Sequence, residues 1–276
     1  MKYMFTSLRC RAVLSQLTLS QALVISLERN NPTPADASVI QSFAPTGILR
    51  VGINLGNPVL AGTDSITKEL KGVTIDIAKE IGQRSGLAVA LIPFHTAGAT
   101  VDAIKTGDID LIFVAIDPVR GKDISYTPPY IQIEGAYMVN TSSSLTLNED
   151  VDIAGHEIVV GKGTAYDLYL TREIKNAILL RVASSQAVVD NLMNGKGHVA
   201  AGVKQQLEID ARRYGNLRML PGSFMVINQA IGIPKARPQY EKTRIYLTEI
   251  INELKSSGFV ADALRRHQIE GAMVAE

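Results

Sequence analysis

Residues 107–120 read Gly107-Asp108-Ile109-Asp110-Leu111-Ile112-Phe113-Val114-Ala115-Ile116-Asp117-Pro118-Val119-Arg120. The Gly107-Asp108 pair is a turn signal. The apolar run that follows, over residues 110–116, is short, rich in branched side chains and bounded by turn residues, so it reads as a buried strand. Asp117 can then cap a new helical turn, and Pro118 suits the first helical position. A strand that ends on a helical turn carries the residues of that turn to the mouth of a sheet, and Arg120 is among them. Its planar guanidinium suits two-pronged capture of a carboxylate. A surface arginine on a short helix is the plainer reading of the same spacing.

Working outward, the chain alternates between strand and helix patterns. Residues 48–53 read as a buried strand, followed by a loop rich in glycine and proline over residues 54–62. Val73, Ile77, Ala78 and Ile81 recur at helical spacing, and Gly86 stops that helix. Residues 89–94 read as a strand and residues 101–105 as a short helix. Such alternation implies parallel βαβ units. A similar pattern restarts at Glu157: strand 158–161, helix 165–174, strand 179–182, helix 187–193, strand 198–201. Two apolar extended stretches, residues 134–139 and 224–233, flank this second half, and Thr141-Ser142-Ser143-Ser144 reads as linker. Leu247, Ile250, Ile251 and Leu254 share one face of a closing helix, which Gly258 ends before a tail helix near residues 260–264. The expected organisation is a leader over 1–44, one lobe from 45–136 with 224–276, and a second lobe, 137–223, inserted within the first. Two extended stretches then give two hinge crossings. Open parallel sheets bind ligands beyond the carboxyl ends of their strands, so two facing sheets predict a cleft that closes on its ligand.

Composition narrows the function. A chain of 276 residues is long for one core and suits two α/β lobes. Net charge is +1 with no basic cluster, which argues against nucleic acid as a partner. Cys10 is the single cysteine, so neither a disulfide framework nor a thiolate metal site is expected, and Arg9 directly before it is unlike a lipid-anchor site. His95, His156, His198 and His267 are scattered without metal-ligand spacing. Gly161-Lys162-Gly163-Thr164 lacks the full phosphate-loop spacing. No metal and no cofactor is therefore expected. Without Trp, a polar site is favoured over a stacking one. At the N-terminus, Lys2, Arg9 and Arg11 precede a moderately apolar stretch over residues 12–27 and an Ala35-Asp36-Ala37 site. That order suits an atypical secretory signal; a disordered leader or an early start codon are the alternatives.

Taken in order, Gly107-Asp108-Ile109-Asp110-Leu111, Asp117-Pro118-Val119-Arg120 and Ile124-Ser125-Tyr126-Thr127-Pro128-Pro129-Tyr130 resemble the signature of the family 3 bacterial extracellular solute-binding proteins. Val51-Gly52-Ile53-Asn54, the run from Leu70 to Ile77 and Val160-Gly161-Lys162-Gly163-Thr164 resemble further parts of it. The resemblance spans residues 47–264. It implies an α/β, two-lobed type II periplasmic-binding-protein fold with two hinge crossings. It also implies a periplasmic, non-enzymatic monomer that delivers amino acids or similar small-molecule ligands to an ABC transporter permease in the inner membrane. By the same resemblance Arg120 grips a ligand carboxylate. Thr164, with the backbone around Gly163 and Ala165, meets that carboxylate from the second lobe, and Asn54 is a polar contact. A backbone N–H group at a helix start suits an anion in any family, and a plain helix N-cap is an equally good and compatible reading of Thr164.

Departures from the family pattern bear on the ligand. Ala115 stands where the family has a hydroxyl, and Thr96 or Ala97 where an aromatic is common. Ala200 and Gln205 stand where amino-acid binders carry aspartates for the ligand ammonium, with Lys204 beside them. An ammonium buried without an anionic partner is costly. The expected ligand is therefore a carboxylate held by Arg120 with Lys204: a keto acid, a dicarboxylate or another small organic anion. Asp117 could supply a negative charge, although helix capping explains it. The alternative function is an enzyme on the same scaffold, such as a cyclohexadienyl-dehydratase-like lyase. That chemistry needs a general acid or base in the cleft, for which Glu134 and Asp117 are the candidates. A sensor module is a third class.

Overall fold

The computed structural model describes residues 36–276. Cys10 and the basic and apolar segments of the expected leader lie outside the described residues. Residues 37–43, which the sequence reading placed with that leader, form helix α1 (Ala37–Phe43), capped by the Asp36 carboxylate accepting from the Ser38 amide. Val39 and Phe43 of α1 are buried, and Arg237 donates to the Ser42 and Phe43 carbonyls, so this segment is part of the folded body.

The first half is built as β1 (Ile48–Asn54), a small ribbon of β2 (Gly62–Thr63) and β3 (Leu70–Lys71), α2 (Val73–Ser85), β4 (Ala88–Phe94), α3 (Ala97–Thr106) and β5 (Leu111–Ala115). β6 (Ile124–Tyr126) follows, and β7 (Ile131–Asn140) leaves for the second half. There, β8 (Glu157–Gly161), α4 (Ala165–Glu173), β9 (Ile178–Val182), α5 (Ala187–Met193), β10 (Val199–Val203), α6 (Lys204–Tyr214) and β11 (Leu217–Met219) lead into β12 (Met225–Pro234), which returns. The chain closes with α7 (Tyr240–Ser256), α8 (Phe259–Arg266) and β13 (Met273–Val274).

One curled mixed sheet runs in the order β4-β1-β5-β12-β7-β10-β8-β9. Each half repeats one plan. β4, β1 and β5 are parallel with β12 antiparallel beside β5; β9, β8 and β10 are parallel with β7 antiparallel beside β10. β7 and β12 are the two crossings, and they pair with each other where Glu134 faces Val226. Beyond that point β7 joins β10 and β12 joins β5. The fold is a two-lobed α/β architecture with two hinge crossings.

The elements follow the sequence pattern with instructive shifts. α3 begins four residues earlier than the apolar spacing suggests, because the Thr96 hydroxyl caps it by accepting from the Ala99 amide at 3.1 Å. Asp117 accepts from the Val119 amide at 2.8 Å, and the turn it opens runs on as a 3-10 segment, Arg120–Lys122. α6 went unread in the sequence, although Leu207, Ala211 and Tyr214 share a helical face and Gly215 ends it in the left-handed conformation. α7 buries Leu247, Ile250, Ile251 and Leu254 as its spacing implies, a contribution of about 2 kcal/mol for each side chain removed from water. Among the described residues no helix is long and apolar enough to cross a membrane.

Asp110, at the head of β5, clamps three segments. Its fully buried carboxylate takes two hydrogen bonds from the Arg50 side chain and one from the Arg50 amide, and pairs with Arg237. Burial alone would raise its pKa, but the hydrogen bonds from Arg50 and Arg237 outweigh burial and hold it below the usual carboxylate range. A depressed folded-state pKa contributes stability that is complete above the unfolded value, ~3.9, and is lost as pH falls through the folded value. Asp110→Asn is expected to cost about 3 kcal/mol in urea unfolding at neutral pH, because it leaves two arginines without their anion. The gap between variant and wild type is expected to narrow below about pH 4.

Candidate functional site

The parallel strands of both halves end on one cleft. Its lining comes from Asn54 at the end of β1, Ala115 at the end of β5, Lys162 after β8, Ser184 and Ser185 after β9, and Val203 at the end of β10. The hinge adds Ile227 and Gln229 from β12, and Gly56, Asn57, Thr96, Ala97, Thr164, Ala165 and Tyr166 complete the wall. About 500 Å3 of space, part of it open solvent, lies between these residues. Glycine shapes one rim: a Cβ on Gly56 would lie 2.8 Å from the His95 carbonyl oxygen, so only glycine lets these loops meet.

Arg120 sits at the floor, 4% exposed. Its Nη1 donates to the Ala115 carbonyl at 3.0 Å, which holds the guanidinium against the end of its own strand. Its Nη2 crosses to the other half and donates to the Gly163 carbonyl at 2.8 Å. Among the described residues no carboxylate forms an ion pair with it. Burial is the largest influence on Arg120 and pulls its pKa down, yet a guanidinium in a protein stays charged. The outcome is a buried cation whose protein partners are neutral carbonyl oxygens.

The opposite wall is the start of α4. Thr164 caps this helix, accepting from the Asp167 amide at 3.2 Å while its hydroxyl donates to the Gly161 carbonyl. Asp167 in turn accepts from the Gly163 amide at 2.8 Å and is braced by Arg181. The amides of Ala165 and Tyr166, in the first turn, have no acceptor within the helix and border the cleft. Gly163 has φ +71°, and a Cβ there would sit 3.5 Å from the Gly98 Cα at the start of α3. The two halves therefore approach closely at this loop.

Two further contacts bridge the halves. Asp117 is buried and its carboxylate takes Arg172 of α4 at 2.9 Å. Gln186 donates to the Leu55 carbonyl at 3.2 Å. Asp117 is thus engaged as a turn cap and a cross-cleft brace, outside the cavity lining.

The structure brings Arg120, Thr164, Ala165, Asn54 and Ala115 together around one cavity, with the Gly163 carbonyl on Arg120. Lys204 and Gln205 lie elsewhere. β10 passes directly into α6, which turns the Lys204 ammonium onto Glu134 of β7 at 2.7 Å. That hydrogen bond holds the Glu134 pKa below the usual carboxylate range. Gln205 is buried on the outer face of α6, beside Gly271. The lysine that borders the cleft is Lys162, exposed at its mouth. Sequence reasoning gave Lys162, Tyr166, Ser184, Ser185 and Gln229 no part in the site. The rule that ligands lie beyond parallel strand ends points to Lys162 and the two serines; Gln229, on the hinge strand, left no such signal.

Residues 49–268 match the bacterial extracellular solute-binding proteins, family 3. The chain belongs to that family. Among solved structures, it is similar to the solute receptor for L-cysteine of Neisseria gonorrhoeae, at 19% identity and a TM-score of 0.72, over 84% of this chain and 94% of that one. It is also similar to the substrate binding protein of an amino acid ABC transporter, at 18% identity and a TM-score of 0.69, over 80% and 98% of the two chains. These likenesses establish the type II periplasmic-binding-protein fold. A curated relative, the membrane-bound lytic murein transglycosylase F of Idiomarina loihiensis, is 23% identical over 261 residues, 91% of this chain and 55% of the relative. The solute-binding chain thus spans little more than half of that relative's length.

Removing the α4 cap tests how the cleft wall is held. Thr164→Ala is expected to destabilise the protein by about 1 kcal/mol, and Thr164→Ser to recover most of it, as read by thermal unfolding.

Proposed function

We propose that this protein captures a small carboxylate-bearing solute between its two halves, in the periplasm, and delivers it to the permease of an ABC importer. The observation that supports this most is the buried Arg120 guanidinium without a carboxylate partner. Leaving a charge buried and unpaired costs several kcal/mol, and an anionic ligand relieves that cost. The Ala165 and Tyr166 amides across the cleft are suited to the second oxygen of the same carboxylate, where the N-terminal end of α4 favours negative charge. Thr164 positions these amides, while Asn54 and the Ala115 carbonyl border the same space. Membership of the solute-binding family supports binding as the role, and the two-strand hinge supports closure as its mechanism.

Turnover would need a group able to move a proton at the ligand. Among the described residues the cleft lining contains no aspartate, glutamate or histidine; besides Arg120 its titratable side chains are Lys162, exposed at the mouth, and Tyr166, whose hydroxyl donates to Ser185. Glu134 and Asp117 are engaged with Lys204 and Arg172. Prephenate incubated with the purified protein is expected to remain unchanged by absorbance, whereas its consumption would favour the lyase alternative.

A ligand that binds only the folded state raises stability by RT ln(1 + [L]/Kd), about 2.7 kcal/mol at a hundredfold excess over Kd. Arg120→Ala is expected to abolish this ligand-induced rise in melting temperature while the unliganded variant still unfolds cooperatively. An undiminished rise in the variant would remove Arg120 from the anchor role.

A further inference from the structure

The charges around the cleft say more about the ligand than its carboxylate. Arg120 lies at the floor and Lys162 at the mouth, and no acidic side chain lines the space between among the described residues. The nearby carboxylates point elsewhere. Asp117 is held by Arg172, and Asp167 by Arg181 and the Gly163 amide. The remaining polar lining is neutral: serine and threonine hydroxyls and the amides of Asn54, Asn57 and Gln229. The Asn54 side-chain oxygen accepts from the Gly56 amide at 2.9 Å, and the Asn57 side-chain oxygen is buried without a partner among the described residues; both are neutral acceptors, which cannot supply an ammonium with a counter-charge.

Building on the carboxylate-capture reading, we propose that the cleft selects a small organic dianion without an ammonium group, one carboxylate on Arg120 and a second anionic group toward Lys162. A zwitterionic amino acid would bring its ammonium into a lining that carries two cations and no anion. It would lose the water around that ammonium without gaining a charged partner. A dianion meets complementary charge at both ends. Its Arg120 end is shielded from solvent, whereas its Lys162 end is open to salt screening.

2-Oxoglutarate and L-glutamate test this directly, because they match in length and differ at one carbon, ketone against ammonium. Calorimetric titration of the full chain would use this pair, short-chain dicarboxylates, their monocarboxylate homologues and the common L-amino acids. The expected result is binding of at least one dicarboxylate or 2-oxo diacid, about 100-fold tighter than the amino acid of the same length. Lys162→Gln is expected to weaken that binding about fivefold, and to remove most of its salt dependence. Amino-acid binding that equals or exceeds that of the matched diacid, and that Arg120→Ala abolishes, would overturn the dianion proposal and leave carboxylate capture standing. A monocarboxylate that binds as tightly as its dicarboxylate homologue would overturn the role of Lys162. Binding by no compound in any set would overturn both readings.

Discussion

The guanidinium of Arg120 is a cation enclosed by protein, hydrogen-bonded among the described residues to carbonyl oxygens, with the Asp117 carboxylate near enough to attract it but not paired with it. One of those carbonyls, Ala115, belongs to its own strand end, and the other, Gly163, belongs to the opposite half. Hydrogen bonds to neutral oxygens orient such a group but do not neutralise it, and an unneutralised charge away from water is the costly state. The proposed capture of an anion, and closure around it, turn on how that charge is satisfied. On the proposed reading, a ligand carboxylate takes the place of the Gly163 carbonyl on Arg120, which would couple ligand binding to closure of the halves.

The rest of the molecule serves to place that charge. β5 delivers the turn, Asp117 caps it, and Pro118 fixes its start. On the far side, Thr164 and Asp167 fold the loop after β8 back on itself, and Ala165 and Tyr166 of the first turn of α4 line the cleft. Asp117 also takes Arg172 across the gap. This contact places a second polar bridge beside the first and engages the Asp117 carboxylate outside the cleft lining. β7 and β12 are the two strands that join these halves, and neither core runs across the pair. The apolar cores of the two halves are distinct: Val101, Ile104, Ile109 and Ile112 in the first, and Ile158, Val160, Tyr166 and Val199 in the second.

The sequence made the architecture legible because each βαβ unit carries its own periodicity and its own glycine stops. Arg120 was legible for the same reason, since strand, cap and proline are local signals. Lys204 was not. The family resemblance sets it beside the positions where amino-acid binders carry aspartates, hence near the ligand, but α6 starts directly after β10, and the first turn of a helix rotates successive side chains by about 100°. Its ammonium therefore meets Glu134 on the neighbouring crossing strand. Gln229 was hidden for a different reason. Its place in the cleft depends on β12 pairing with β5 so that Gln229 lies opposite Ala115, a register set by contacts distant in sequence. Lys162 and the serines after β9 fall at strand ends, and the general rule for parallel sheets covers them once the strands are known.

The central claim is that Arg120 is the seat of the ligand's carboxylate. A crystal structure of the protein with its bound solute tests it most directly. The expected result is a carboxylate paired with the Arg120 guanidinium, its second oxygen on the first amides of α4, and the Gly163 carbonyl released from Nη2. A solute whose charged group lies elsewhere, with the bond from Arg120 to Gly163 intact, would contradict it.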